Sequence, residues 1–159
     1  MRVVLQKVAS ASVRVDAAES GLDTEYVRSI GIGFVVLVGV SDADGDAEVE
    51  WVAHKIAHLR VFADENDKMN LGISDVGGSV LSISQFTLFA DIHKGNRPSF
   101  VGAGEPGHAK RVWERLNGVL TEKHGLPVES GIFGTHMKVE LVNDGPVTIV
   151  IDTDEDMKH

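Results

Sequence analysis

The stretch from Val80 to Ala90, V-L-S-I-S-Q-F-T-L-F-A, constrains the fold more than any other segment of this chain. It is rich in β-branched and aromatic residues, follows Gly77-Gly78 and is closed by Asp91, so it reads as one strand. Side chains of a strand alternate between two faces. Val80, Ser82, Ser84, Phe86 and Leu88 therefore share one face, and Leu81, Ile83, Gln85, Thr87 and Phe89 the other. The polar residues change sides between Ser84 and Gln85. A core strand with hydroxyl and amide groups on both faces needs partners for them or a ligand to meet them. This segment is expected to carry part of a functional site.

The 159 residues suit a single domain with a sizeable core, expected over 1–152 and followed by an acidic tail over 153–159. There is no cysteine, which removes disulfides, thiolate nucleophiles and thiolate metal sites and suits a reducing compartment. Met1-Arg2-Val3-Val4-Leu5-Gln6 lacks the apolar core of a signal peptide, and the longest apolar run, Phe34–Val38, is strand-sized. A cytoplasmic protein without a membrane partner is expected. The net charge of −9 opposes long-range steering toward a polyanion, so any nucleic-acid contact must come from a local basic patch.

Short strands in close succession, Arg2–Val8, Ala11–Val15, Tyr26–Ile30 and Phe34–Val40, predict antiparallel meanders, with Asp16–Glu25 an exposed acidic loop. Ser41-Asp42-Ala43-Asp44 offers a helix cap, and Val49, Val52, Ala53, Ile56 and Leu59 recur at helical spacing. Ala109, Val112, Trp113, Leu116, Val119 and Leu120 mark a second amphipathic helix, closed by Gly125. Strands are expected over Val128–Phe133, Lys138–Val142 and Val147–Asp152, the last two split by a turn at Asn143-Asp144-Gly145-Pro146, with a frayed tail from Thr153. The fold class is α+β: two main helices on mostly antiparallel sheet.

Several familiar patterns do not survive inspection. Gly102-Ala-Gly104-Glu-Pro-Gly107 has the letters of a dinucleotide fingerprint, but Pro106 removes a backbone donor and no β–α entry precedes it. His54 and His58 have zincin spacing, yet Lys55 replaces the glutamate base and no third ligand follows. Asp42-x-Asp44-x-Asp46 opens like a calcium loop but lacks its glycine and its closing glutamate. No Gly-x-Ser-x-Gly elbow occurs, and nothing pairs His93, His108, His124 or His136 with a nucleophile. No metal or cofactor is expected.

Two stretches remain: Ser84-Gln85-Phe86-Thr87 and Asn143-Asp144-Gly145-Pro146-Val147-Thr148. Each alone reads as a strand segment or a turn. Together, in this order and spacing, they resemble the D-aminoacyl-tRNA deacylases. The likeness runs from Met1 to about Ile151 and includes Met1-Arg2 with Gln6, Lys55-Ile56-Ala57 through Phe62, Lys68-Met69-Asn70, Asp75-Val76-Gly77-Gly78, and Lys94-Gly95-x-Arg97-Pro98-Ser99-Phe100.

The resemblance implies a barrel-like single-domain homodimer that hydrolyses the ester between a D-amino acid, or glycine, and the terminal adenosine of tRNA. Gly145-Pro146 would be a cis peptide inserted from the partner subunit, its carbonyls excluding an L side chain. Ser84 and Gln85 would orient the substrate, and Phe86 and Thr87 would serve the chemistry. Thr87 acts either as a covalent nucleophile, or beside a 2′-OH or water attack with backbone N–H groups around Phe86 and Thr87 holding the oxyanion. No base beside Thr87 is legible, which favours the second. Lys94, Arg97, Lys110 and Arg111 are candidate phosphate contacts. The chain departs from the family pattern at Lys7, usually arginine, and at Ile32, often proline. Rival readings are a sister deacylase of relaxed chirality, a non-catalytic dimeric RNA-binding module, and a general ester hydrolase.

Overall fold

Fourteen consecutive residues, Arg2–Val15, form one strand, β1, around which the sheet is built. A computed structural model describes residues 1–158 of the chain. The two strands expected at this end are continuous because the change of phase between them is a bulge, not a turn. Burial runs Val3, Leu5, then Val8, then Ala11, Val13 and Val15. Pairing with the last strand slips at the same places, between Gln6 and Val8 and between Val8 and Ser10.

After β1 come a helical turn α1 (Ala17–Ser20), strands β2 (Tyr26–Ile30) and β3 (Gly33–Gly39), and helix α2 (Asp46–His58). Short strands β4 (Phe62–Ala63) and β5 (Met69–Leu71) precede β6 (Ser79–Ser84). Helix α3 (Pro106–Glu122), β7 (Val128–Ser130), β8 (Lys138–Asp152) and a final turn α4 (Thr153–Asp156) complete the order. The loop expected over Asp16–Glu25 thus contains α1, where the Ser20 hydroxyl meets the carbonyls of Ala17, Leu22 and Thr24.

The fold is a single α+β domain with a nearly closed, barrel-like sheet. β1 pairs antiparallel with β2, β3 and β8. β3 to β6 and β6 to β7 are parallel, which the reading of antiparallel meanders did not anticipate. These two pairings are bridged by α2 and α3, the long connections that parallel strands require. β3 is accordingly apolar on both faces: Phe34, Val35, Val36 and Val38 are all buried.

The helix stripes read from sequence are buried at Val49, Val52, Ala53 and Ile56 on α2 and at Ala109, Val112, Trp113, Leu116, Val119 and Leu120 on α3, whereas Leu59, read as part of the first stripe, lies just past the end of α2 and is half-buried. They pack with Val3, Leu5, Phe34, Val36 and Ile151 into the main core. A smaller cluster on the other face joins Val8, Val13, Ile30, Val35, Leu81 and Ile83. Gly125, at φ +67°, ends the α3 region as expected; the Leu126 amide reaches back to the Leu120 carbonyl at 3.0 Å.

Two ends differ from expectation. α2 is capped by Gly45, whose amide donates to Glu48, because Asp44 is engaged elsewhere. Asp44 is buried and accepts from the Met1 ammonium at 2.5 Å and from the Ser41 amide at 2.7 Å. The segment expected to fray is pinned at its start: Thr153 is buried and its hydroxyl accepts from the Met1 ammonium at 2.6 Å.

Candidate active site

Val80–Ala90 is not one strand. β6 stops at Ser84, and Phe86–Phe89 form a 3₁₀ turn. The ladder ends because its neighbours end: β3 closes at Gly39 and β7 at Ser130, and the Gln85 amide makes a last bond to the Val38 carbonyl at 2.7 Å. Gly39 then lets the chain fold over it. A Cβ there would lie 3.0 Å from the Gln85 carbonyl oxygen and 3.1 Å from both Leu88 Cβ and Phe89 Cε2. The polar switch seen in sequence therefore has two causes. Ser82, fully buried, accepts from Trp113 Nε1 at 2.9 Å and is structural; the residues from Ser84 onward have left the strand.

Beside this strand end lies a cavity of about 470 Å³, walled by Ser84, Gln85 and Phe86 on one side and by Trp113, Phe133 and Met137 on another. Thr87, expected to face it with Gln85, is exposed and is not part of its wall; in the 3₁₀ turn it no longer follows strand alternation. The Gln85 side-chain amide donates to the Thr87 hydroxyl. Among the described residues, neither the Phe86 nor the Thr87 amide N–H has a hydrogen-bond acceptor. Phe86 stands 58% exposed, edge-on to Phe100 at 5.1 Å between ring centroids.

The second motif lies in β8, which runs straight through the expected turn. Gln6 of β1 pairs with Thr148 and Val8 with Asn143, so Asp144–Val147 bulge out opposite Lys7 alone. The Gly145-Pro146 bond in that bulge is cis, both residues are exposed, and neither borders the cavity of its own chain. Gly145 holds φ +146°, and a Cβ there would come within 2.8 Å of the Val147 amide nitrogen and Cγ2, so only glycine fits. The Lys7 ammonium sits over the Phe62 ring, 5.5 Å from its centroid.

Lys94 and Arg97 stand exposed on a loop pinched shut by reciprocal Asp91–Ser99 backbone bonds of 2.7 and 2.9 Å. The Asp91 carboxyl is held below the usual range by the His93 amide and ring. Lys110 and Arg111 lie on α3, Lys110 3.9 Å from Glu114. The glycine-rich segment before α3 does open a helix, but Glu105 already fills its N-terminus, accepting from the Gly107 and His108 amides at 2.8 Å. Those two bonds keep its carboxyl below the usual range.

No group of three or more His, Cys, Asp or Glu that could hold a metal ion occurs among the described residues. The His54–His58 pair has a neighbour that spacing could not reveal: His124 from the end of the α3 region lies 5.5 Å from His58, ring edge to face. His54 and His58 stack at 4.2 Å, and His124 Nε2 is buried without a partner. Burial, then the neighbouring imidazoles, depress the His124 pKa.

Residues 4–152 match the family model described as D-Tyr-tRNA(Tyr) deacylase. The chain belongs to that family. A D-aminoacyl-tRNA deacylase of Bifidobacterium animalis subsp. lactis is 62% identical over 157 residues, 98% of both chains. One from Thermomicrobium roseum is 52% identical over 155 residues, 98% of this chain and 96% of the relative. Among solved structures, the c-Myc DNA Unwinding Element Binding Protein superposes with a TM-score of 0.84 at 35% identity, covering 96% of this chain and 98% of that one. A probable eukaryotic D-amino acid tRNA deacylase shares the fold, with a TM-score of 0.78 at 16% identity over 94% of this chain and 97% of that one. The deacylase family match spans both motif stretches, the strand-end turn and the β8 bulge.

Proposed function

We propose that the chain hydrolyses the ester joining a D-amino acid to the 3′-terminal adenosine of tRNA, releasing both, and so removes wrongly charged tRNA in the cytoplasm. The observation that carries this is the strand-end turn: in a member of the deacylase family, Ser84, Gln85 and Phe86 border a cavity while two adjacent backbone N–H groups stand free. A volume of about 470 Å³ falls within the range of small-molecule sites, roughly 300–1,000 Å³.

The ester is already activated, so orientation and oxyanion binding supply the main help. Ser84 and Gln85 orient the substrate, and the Phe86 and Thr87 amides face the developing oxyanion. Thr87 is a poor nucleophile here: its hydroxyl oxygen receives the Gln85 amide, and with the amide turned the other way its partner would be an amide oxygen, equally no base. The attacking group is the ribose 2′-OH or a water.

The functional unit is a homodimer. Gly145-Pro146 projects from its own chain without reaching that chain's cavity, and in this reading its carbonyls enter the partner's site. A rigid backbone wall there clashes with an L side chain, and glycine escapes it for want of one. Lys94 and Arg97 meet tRNA phosphates. A net charge of −9 gives little non-specific affinity for any polyanion, so the tRNA contact rests on such local cations.

Matched D-, L- and glycyl-tRNA substrates test the reading: release from the D and glycyl forms with the L form spared is expected. Equal rates on D and L would favour relaxed chirality, which the Lys7 departure motivates. Thr87→Ala should keep activity within about tenfold of the parent; loss of the order of 10⁴ or more would restore the covalent role.

A further inference from the structure

The turn bearing Phe86 and Thr87 is gripped from below by a residue outside both motifs. Arg2 Nη1 donates to the Leu88 carbonyl at 3.1 Å, and its guanidinium carbon lies 4.8 Å from the centre of the Phe89 ring. Its Nε donates to Asp152 at 3.1 Å, which fixes the plane of the group. In the sheet, Arg2 stands opposite Gly39 on one side and Asp152 on the other. The turn thus rests on the bare backbone of Gly39 while Arg2, on the adjoining strand, holds its far end.

Four residues of 3₁₀ helix have few internal bonds, and this turn has no side-chain cap at its start. Its last carbonyls are without helical partners, and a guanidinium donor binds one of them more strongly than a neutral group would. Reacting groups must be held to within about 0.5 Å of their working geometry, a tolerance such a turn cannot keep alone.

We propose that Arg2, oriented by Asp152, is a positioning residue for deacylation: it fixes the Phe86–Phe89 turn so that the Phe86 and Thr87 N–H groups stay aimed at the reacting carbonyl. The inference rests on the placement of the oxyanion site argued above. The Arg2–Asp152 pair is half-buried, 42% and 27% exposed, and water still reaches it, so it adds about 1 kcal/mol or less to stability. Its main effect is on rate.

The test uses full-length Arg2→Gln, Arg2→Lys and Asp152→Asn, with kcat, KM and Tm measured on D-aminoacyl-tRNA. Arg2→Gln should lower kcat about tenfold or more, short of the roughly 10²–10³-fold cost of deleting an oxyanion donor outright, with KM almost unmoved and Tm lowered by no more than a few degrees. Arg2→Lys should recover part of the rate, since an ammonium can reach Leu88 but cannot span both partners. Asp152→Asn should cost less, and combining it with Arg2→Gln should cost no more than Arg2→Gln alone. Unchanged kcat in Arg2→Gln, or a loss that simply follows Tm, overturns the proposal. Phe86→Pro separates this from failure of the site itself. It is compared with Phe86→Ala, which removes the same ring from the cavity wall but keeps the N–H that proline deletes at this first position of a helical turn. If Phe86→Pro is as active as Phe86→Ala, the oxyanion placement is wrong; if it is far less active while Arg2→Gln is normal, only the role of Arg2 falls.

Discussion

Ser82 and Trp113 offer a measurable link between core and cavity. Their bond of 2.9 Å joins a residue with no exposure to one with 4%, and the indole also walls the cavity. Ser82→Ala leaves the indole N–H buried without an acceptor, a cost of about 1–3 kcal/mol. Trp113→Phe removes the donor and thins the packing, for about 2–4 kcal/mol, somewhat below a full truncation to alanine. The bond is lost only once in the double variant, so the two changes together should fall short of their sum by about 1 kcal/mol or more. For a chain of this size each kcal/mol moves Tm by about 2–4 °C. Urea and thermal unfolding should be followed by far-UV circular dichroism, because Trp113 is itself altered. Trp113→Phe should also raise KM for charged tRNA, whereas Ser82→Ala should leave KM nearly alone. Strict additivity, or a neutral Ser82→Ala, would refute the account of why a hydroxyl sits inside β6.

His124 makes stability depend on pH with a definite sign. Its folded pKa lies below the ordinary imidazole value, so its contribution is complete above about pH 6.5 and is lost as pH falls through the depressed value. Tm should drop on acidification below about pH 6.5, and His124→Gln should flatten that portion of the curve. Gly33→Ala would bring a Cβ within 1.8 Å of the Ser79 carbonyl oxygen, between two paired strands; soluble yield should collapse. Gly145→Ala strains the bulge by about 1–3 kcal/mol, so Tm should fall by several degrees, and it should abolish discrimination between D and L substrates or activity altogether. Charge reversal at Lys94 and Arg97 should raise KM and weaken its salt dependence without altering kcat.

What could be read from the letters follows from where side chains decide structure. The stripes on α2 and α3 were plain because period and burial agree over several turns. Ser84–Thr87 is chemically odd for a core strand, whereas Asn143–Thr148 reads as a plain turn and is singled out only by its pairing with the first stretch as a family pattern. Strand limits were not legible at either motif. β6 ends because its neighbours end, which is a property of Gly39 and Ser130 rather than of Phe86 or Thr87. β8 continues through Asn143–Pro146 because its own extra residues bulge out opposite Lys7 while its pairing with β1 resumes on either side. Asp44 read as a cap but is claimed by a buried ammonium distant in sequence. The place of His124 beside His58 was equally invisible, being set by the packing of α2 on α3.

The partnership of β1 with β8 has a consequence in time. Arg2 lies opposite Asp152, so β1, made before the other strands of this fold, pairs with β8, made after them. At about 5–20 residues per second, the wait between them is roughly six to thirty seconds. Throughout it one edge of β1 is an open template for any passing strand, and Arg2 lacks the carboxylate that aims it. A nascent chain with α2, α3 and the Phe86–Phe89 turn already made would still be silent. Activity should switch on only once β8 zips along β1 and delivers Asp152 and the Gly145-Pro146 bulge in a single event.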